Sequence, residues 1–258
     1  MNIWGKVIGG VAGFAMGGPL GGILGAVAGH AVDKMKAAEA GAAGYSDGGP
    51  GSFQGFGPDA RQVAFTTAII VLSAKMAKAD GQVTPDEIAT FKRLFHIPPE
   101  DAGNIGNIWK EATRDSSGYE PYAEQIAGLF QSDPQVLEEL LGVLFHIAKA
   151  DGVVHPKEME MLSRTAQIFG FNAQAFERLK HIHLGADADE DDPYEVLDVS
   201  RDASDADVKA AYRKLTRENH PDVLMAKGVP QEFIDLANEK MAAINAAYDR
   251  IEKERGLR

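Results

Sequence analysis

The sequence predicts an all-α protein in three parts, and three observations support this prediction. Apolar residues recur every third or fourth position after residue 58, which is the period of helices that bury one face. No segment shows the strict alternation of apolar and polar residues that is typical of a strand. Residues 7–29 carry no charge and are long enough to cross a bilayer as a helix. We therefore expect an N-terminal glycine-rich transmembrane helix, a helical middle domain and a C-terminal domain of three to four helices.

Composition narrows the classes of partner. The chain of 258 residues has a formal net charge of −12 and contains no cysteine. Nucleic acid is a poor candidate for the main partner of such an acidic chain, because phosphate binding needs a basic surface. Without cysteine the chain has no disulfide and no thiolate zinc site, which fits a reducing compartment.

Residues 1–36 form the predicted membrane anchor. Pro19 is expected to kink a helix here, and a re-entrant or surface hairpin stays open as the alternative. Lys34 and Lys36 outnumber Lys6 across the apolar run, which favours a cytoplasmic location for the rest of the chain. Glycine at every fourth position lets two helix backbones approach closely, so we expect a homodimer through this helix. The glycines of this packing face are Gly9, Gly13, Gly17, Gly21 and Gly25.

A helical middle domain is predicted at residues 59–184, after a flexible glycine-rich linker at residues 37–58. About six or seven helices are expected there, and three apolar stripes mark their buried faces. The stripes contain Phe65, Ile69, Leu72 and Met76; Ile105, Ile108, Trp109 and Ala112; and Leu137, Leu140, Leu141, Leu144, Phe145 and Ala148.

The middle domain contains an internal repeat. The segment Ala77–Glu87 returns as Ala148–Glu158, and each copy lies between two amphipathic helices. We therefore expect two helix-turn-helix pairs that pack against each other. This pattern resembles the TerB domain, a helical module.

The carboxylates of the repeat have two interpretations. The resemblance to TerB implies a metal-binding role, in which Asp80, Glu87, Asp151 and Glu158 supply oxygen ligands to a divalent cation. Alternatively, Thr84 and Glu87 form a capping box at the start of a helix, and Glu158 occupies the matching position in the second copy. We favour capping and expect no cofactor.

Four histidines raise the separate question of a transition-metal site. Their spacing matches no zinc motif, so we expect them at the surface or at helix ends. They are His146, His155, His181 and His183.

The C-terminal domain is predicted at residues 192–258, after an acidic linker at residues 185–191. Asp192 and Ser204 have the sequence context of N-caps, so helices are expected to follow each of them. Pro221 disfavours the α conformation of the residue before it, so the second helix should end there and leave His-Pro-Asp in a loop. The second helix has an apolar face, which consists of Val208, Ala211, Tyr212 and Leu215. It also carries four basic residues, Lys209, Arg213, Lys214 and Arg217. The third helix has an apolar face that consists of Phe233, Leu236, Ala237, Ile244, Ala247, Tyr248 and Ile251.

The order of short helix, basic helix, His-Pro-Asp and long helix resembles a J domain, the module by which J-proteins drive ATP hydrolysis in Hsp70 chaperones. The resemblance implies that His220, Pro221 and Asp222 are the trigger for an Hsp70 of the DnaK type. It also implies that Lys209, Arg213, Lys214 and Arg217 dock on that Hsp70. We assign Tyr212, Leu215, Phe233 and Ile244 to the core of this domain. Asn219 departs from the pattern, since J domains commonly have an aromatic residue there.

The N-terminus in turn resembles the anchor of DjlA-type proteins, so the resemblance covers anchor, TerB-like domain and J domain in that order. It implies a J-domain co-chaperone at the bacterial inner membrane. We expect no enzymatic activity, because the sequence shows neither a nucleophile with a base nor a phosphate-binding glycine loop after a strand. The alternative is a membrane-tethered sensor or scaffold, in which the TerB-like domain binds an ion or a partner and the J domain is secondary.

Overall fold

A computed structural model describes residue 20 and residues 58–79, 89, 91–92, 97–114, 118–149, 152–184 and 192–257. Every regular element within these residues is a helix and none is a strand, which confirms the predicted all-α class. The contacts divide the chain into two compact units, residues 1–131 and residues 132–258. Residue 20 is the one described residue of the predicted anchor, and residue 58 is the one described residue of the predicted glycine-rich linker. The rest of both segments and the whole acidic linker lie outside the described residues.

The first unit is organised by a long helix, α1 (Pro58–Ala79). Two further helices pack against it, α2 (Ala102–Arg114) and α3 (Glu120–Leu129). Residues 63–77 of α1 are all buried, so burial is wider than the one-sided stripe predicted from the sequence. A helix that is buried on all sides is the central helix of its domain.

Aromatic contacts fix the packing of the first unit. The rings of Phe65 and Phe130 meet edge to face with centroids 6.4 Å apart. Phe91 and Trp109 meet in the same way at 4.9 Å. Such arrangements place the positive ring edge against the negative ring face, and each stabilises the core beyond the burial of apolar area.

The second unit begins with three helices, α4 (Pro134–Ala148), α5 (Pro156–Ile168) and α6 (Ala173–Leu184), each of which packs against the other two. Proline is tolerated at the start of α4 and α5 because the first helical N–H has no partner within the helix. Gly170 adopts a left-handed conformation with φ of +88° just after the C-cap of α5, a backbone conformation that favours glycine at a helix end. We call α4–α6 the TerB half, since the sequence assigns them to the TerB-like domain.

Four helices follow in the second unit, within the predicted J domain. They are α7 (Pro193–Val196), α8 (Asp205–Glu218), α9 (Pro221–Ala226) and α10 (Ile234–Arg255), with a 3-10 turn at Gln231–Phe233 before α10. The number fits the expected three to four helices. Both predicted N-caps are confirmed. Asp192 accepts a hydrogen bond from the Tyr194 N–H at 3.0 Å, and Ser204 accepts one from the Asp207 N–H at 3.2 Å.

The core of these helices forms where α10 packs against α7 and α8. Of the four predicted core residues, Phe233 and Ile244 are fully buried, whereas Tyr212 and Leu215 are half-buried and pack at the edge of the core. The central cluster consists of Tyr194, Val196, Leu197, Val208, Ile244, Ala247 and Ile251.

Candidate partner-binding site

The basic residues of α8 lie on its solvent side. Arg213, Lys214 and Arg217 are exposed, and Lys209 is half-buried. We call these four residues the basic surface. They stand within three turns of one helix, and exposed cations in this arrangement attract an acidic partner through charges that water and salt still screen. The structure therefore places on one helix the four residues that would dock on Hsp70 if the resemblance to a J domain holds for them.

The opposite side of α8 is fixed against α10. The rings of Tyr212 and Tyr248 stack with centroids 4.1 Å apart, and the Tyr212 hydroxyl donates a hydrogen bond to Oδ1 of Asn245 at 3.1 Å. Val208 is completely buried in the same contact region. The basic surface is thus held by a helix whose other face cannot rotate without breaking these contacts.

The His-Pro-Asp segment begins a helix, and the prediction of a plain loop is wrong in this respect. His220 has an extended backbone (ψ of 132°), as expected before proline, and it is the N-cap of α9. Pro221 and Asp222 form the first turn of that helix. Proline at the first helical position therefore starts α9 as well as separating it from α8.

The side chains of the segment are accessible. Nδ1 of His220 accepts a hydrogen bond from the Asp222 N–H at 3.2 Å, and the Asp222 carboxylate lies 3.8 Å from the same atom. A neutral imidazole that accepts at Nδ1 carries its proton on Nε2. His220 is 54% exposed and Asp222 is 80% exposed, so a donor and a carboxylate face solvent side by side.

Asn219 shows why this sequence can depart from the usual aromatic residue. Its side-chain Nδ2 donates to the carbonyl oxygen of Leu215 at 2.8 Å, and its backbone N–H donates to the same oxygen at 3.0 Å. The last carbonyls of a helix have no partner within the helix, so these bonds satisfy one of them at the end of α8. Asn219 is buried and acts as the C-cap next to the His-Pro-Asp segment.

Arg255 connects the end of α10 to the start of the domain, and the sequence analysis missed it. Its guanidinium donates to the Tyr194 hydroxyl at 2.9 Å and to the carbonyl oxygens of Ala203 and Arg201, each at 2.6 Å. It also lies 4.9 Å from the centroid of the Tyr194 ring. A guanidinium has five donors in a fixed plane, which suits it to join several acceptors at once.

Lys240 is the second residue that the sequence analysis missed. It lies on α10 with 1% of its side chain exposed, and its Nζ is 2.8 Å from carboxylate oxygens of both Glu138 and Glu139 on α4. Arg178 of α6 lies 3.3 Å from Glu138. The sequence carries a signal for this cluster, because Lys240 falls on the apolar face between Phe233 and Ile244 of the third helix.

Burial and charge act in opposite directions on this cluster. Burial by itself would raise the pKa of Glu138, but Lys240 and Arg178 outweigh it and lower that pKa from 4.5 to about 2. Burial would lower the pKa of Lys240, and Glu138 and Glu139 outweigh it and raise that pKa above its ordinary value. The lysine and Glu138 are therefore both charged at neutral pH.

The whole chain is similar to known proteins. Three family models match it in order along the chain. The model of the co-chaperone DjlA transmembrane domain matches residues 1–50, that of the tellurite resistance protein TerB matches residues 66–181, and that of the DnaJ domain matches residues 192–255. A co-chaperone protein DjlA of Photobacterium profundum is 32% identical over 99% of this chain and 100% of the relative. Those of Vibrio cholerae and Shewanella oneidensis are 33% and 34% identical over the whole of both chains.

The chain belongs to the DjlA co-chaperone family. No solved structure matches it significantly. The predicted order of anchor, TerB-like domain and J domain is that of the DjlA family, so the resemblance to DjlA-type proteins is confirmed. The match to the DjlA transmembrane domain indicates a membrane anchor at the N-terminus. Among the described residues no helix is sufficiently long and apolar to span a bilayer, and the five glycines of the predicted packing face lie outside those residues.

The carboxylates of the repeat are described only in part in this DjlA-family chain. Glu158 Oε2 accepts a hydrogen bond from the His155 backbone N–H at 2.9 Å, and the two residues form a capping box at the start of α5. Asp80, Glu87 and Asp151 lie outside the described residues. No group of three metal-ligating side chains occurs within the described part of the chain. Capping of α5 by Glu158 is thus a finding, whereas the metal interpretation stays an untested prediction.

The histidines have separate structural roles. His155 is the N-cap of α5, and His181 lies 3.6 Å from Glu195. His183 is near a helix end as predicted, but it is buried. Its ring stacks on Phe145 at 5.9 Å and faces His146 at 5.5 Å. Burial is the main cause, and neighbouring His146 and Lys240 add to it; together they lower the pKa of His183 from 6.5 to about 3, so it is neutral in the folded protein.

Proposed function

We propose that this member of the DjlA family docks on a cytoplasmic Hsp70 of the DnaK type and stimulates its ATP hydrolysis. The observation that supports this proposal is the position of His220 and Asp222, which are exposed at the start of α9, directly after the helix that carries the basic surface. The basic surface supplies attraction and orientation, and the imidazole and carboxylate supply the contacts that trigger hydrolysis in the partner. The chain itself is a regulator and catalyses no reaction.

Docking and triggering are separate steps in this proposal. The basic surface acts through exposed charges, which raise the rate of encounter and select an acidic patch on the partner. His220 and Asp222 carry one potential donor and one acceptor at the end of that surface, so they engage a polar contact on Hsp70 after the charges have aligned the two proteins.

A single-turnover ATPase assay tests the proposal. The full-length chain in detergent or lipid nanodiscs is mixed with the Hsp70 of the same organism, and hydrolysis of prebound ATP is followed with and without the chain. We expect faster hydrolysis with the wild type and no acceleration with Asp222→Asn, which removes the charge but keeps the size of the side chain. Equal acceleration by both proteins would contradict the assignment of the trigger.

We further propose a single-pass anchor in the bacterial inner membrane, with the TerB-like and J domains in the cytoplasm. Lys34 and Lys36 follow the apolar run, and positive residues favour the cytoplasmic side. Protease added to intact spheroplasts should leave the J domain uncut, while protease added to inverted vesicles should digest it. The reverse result would contradict this topology.

A homodimer through the glycine face of the anchor is part of the same proposal. Glycine every fourth residue permits close backbone contact between two helices, so Gly17→Leu should weaken association in a membrane two-helix reporter. Leu20→Ala adds no bulk and serves as the control. Unchanged association of the Gly17 variant would mean that the glycines are not a contact face.

A further inference from the structure

The J-domain helices of the second unit contact the TerB half through residues outside the basic surface. Lys240 of α10 reaches Glu138 and Glu139 of α4. Gln174 of α6 donates to Asp198 Oδ1, just after α7, at 3.1 Å. These contacts come from α10 and from the turn after α7, whereas Arg213, Lys214 and Arg217 on α8 remain exposed.

A second lysine joins the His-Pro-Asp helix to the same surface. Lys227 is the C-cap of α9, and its Nζ donates to Gln135 Oε1 at 2.7 Å and lies 4.0 Å from Asp133 at the start of α4. The other end of α9 carries His220 and Asp222. Because α9 has only six residues, a contact that holds its last turn also restricts the direction of its first turn.

The chemistry of the two surfaces is complementary. The TerB half supplies three carboxylates and an amide, at Asp133, Glu138, Glu139 and Gln135, all within the first two turns of α4 or directly before it. The J domain supplies two lysines. A fully buried lysine is costly unless carboxylates surround it, so the position of Lys240 is explained only by the pair on α4.

We propose that the TerB half is a docking surface for the J domain of the same chain, and that Lys240 is a positioning residue for the His-Pro-Asp segment. Docking through Lys240 and Lys227 holds α9 in one orientation, with His220 and Asp222 accessible to Hsp70. The J domain then uses different basic residues for different partners, the basic surface on α8 for Hsp70 and the two lysines, Lys240 and Lys227, for the TerB half. The part of this proposal that concerns Hsp70 rests on the proposed function.

Hydrogen exchange of the full-length chain in nanodiscs, read by mass spectrometry, tests the docking. Lys240→Met keeps the length of the stem and removes the charge. Amides of α4 and α9 should then exchange roughly tenfold faster, which corresponds to about 1.4 kcal/mol of lost protection. Lys253→Met, at an exposed position of the same helix, is the matched control and should leave exchange unchanged. Unaltered exchange in the Lys240 variant would overturn the docking.

A charge reversal distinguishes loss of the ion pair from general misfolding of the Lys240 variants. Lys240→Glu should release the J domain and accelerate exchange. Adding Glu139→Lys restores one charge of each sign across the same contact, and should return exchange and Hsp70 stimulation towards the wild-type values. A double variant whose amides exchange as fast as those of Lys240→Glu would overturn the proposal.

The ATPase assay tests the positioning. Lys240→Met should lower the maximal stimulation of Hsp70 several-fold while the salt dependence of binding stays that of the wild type, because the basic surface is intact. Full stimulation by a variant whose exchange is accelerated would overturn the positioning role. If wild-type chain fails to stimulate Hsp70, the proposed function fails instead, and the exchange experiment still decides whether the J domain docks on the TerB half.

Discussion

Nδ1 of His220 accepts a hydrogen bond from the backbone N–H of Asp222, at 3.2 Å. One nitrogen of the imidazole therefore caps α9, and the other is available to a partner. Substitution of this histidine changes two things at once, the stability of a helix start and the chemistry offered to Hsp70. Asparagine separates the two effects, because it is among the best N-cap residues but has no imidazole.

For His220→Asn we expect thermal stability near that of the wild type and loss of ATPase stimulation. His220→Ala, which removes the cap as well, should cost about 0.5–2 kcal/mol of stability in addition to the lost stimulation. Thermal unfolding followed by circular dichroism and the single-turnover ATPase assay measure the two effects. Normal stimulation by the asparagine variant would show that the imidazole is not part of the trigger.

Arg213→Glu should weaken binding to Hsp70 and leave folding intact, since Arg213 is exposed on α8. Wild-type binding should also weaken as salt is raised, because exposed charges are screened over about 8 Å at physiological ionic strength. Affinity measured at two salt concentrations checks both statements. Lys253→Glu makes the same change of charge on α10 and is the control, so an equal loss of affinity there would mean that net charge alone matters.

Gly142→Ala should destabilise the second unit. A Cβ added at Gly142 would lie 2.7 Å from Nε2 of the buried His183, which is too close for unshifted atoms. Overpacking of this kind costs about 1–3 kcal/mol. Gly106→Ala in α2 is the matched change, because a Cβ there meets nothing within 4 Å, and it should raise stability by about 0.5–1 kcal/mol. Thermal unfolding of the two variants should therefore shift in opposite directions.

Acidification should destabilise the second unit through His183. The pKa of His183 is about 3 in the folded protein, and its ordinary value is 6.5. Between these two values the imidazole binds a proton in the unfolded chain but not in the folded protein. Its contribution to stability is fully present above pH 6.5 and is lost as the pH falls towards about 3. The loss is about 1.4 kcal/mol per pH unit in that window.

Urea unfolding of the full chain between about pH 7.5 and about pH 5.5 measures this loss. Glu138 contributes little there, because its pKa of about 2 and its ordinary value of 4.5 both lie below this range. His183→Phe should flatten the dependence on pH, because phenylalanine cannot take up a proton. A wild-type urea midpoint that does not change with pH would contradict the neutral, buried state of His183.

Glu158→Gln should be nearly neutral in stability, because glutamine can still accept the His155 backbone N–H. Glu158→Ala loses that bond and should cost about 0.5–2 kcal/mol. Added Ca²⁺ or Mg²⁺ should leave the melting temperature of the wild type unchanged. A saturable rise with ion concentration that the Gln variant lacks would instead favour the metal interpretation.

The helices of the J domain could be predicted because their signals are local. Asp192 and Ser204 carry capping side chains next to the backbone groups they satisfy, and Pro221 restricts only the residue before it. The sequence does not predict the start of α9, because a proline both ends one helix and can begin the next. An extended residue before a proline is expected in a loop and also at the N-cap of a short helix, so the pattern does not distinguish the two.

Contacts between distant segments had weaker signals. Lys240 and Glu139 are separated by 101 residues, and each looks like a solvated charge when its own helix is read alone. The same holds for Arg255 and Tyr194, which are 61 residues apart. A lysine on an apolar face and two adjacent glutamates in the largely apolar α4 both indicate a buried ion pair, but neither identifies the partner.

Because Lys240 is buried, acylation of its amine can report whether the J domain is in contact with the TerB half. An acylating reagent needs an unprotonated amine that it can reach, and the amine of Lys240 is both held charged and 99% covered, as its 1% exposure implies. Lys214 and Lys253, which are exposed, should be acylated at once. The ratio of the label at Lys240 to the label at these two residues, measured in intact membranes, would report the fraction of molecules in which the J domain is separated from the TerB half.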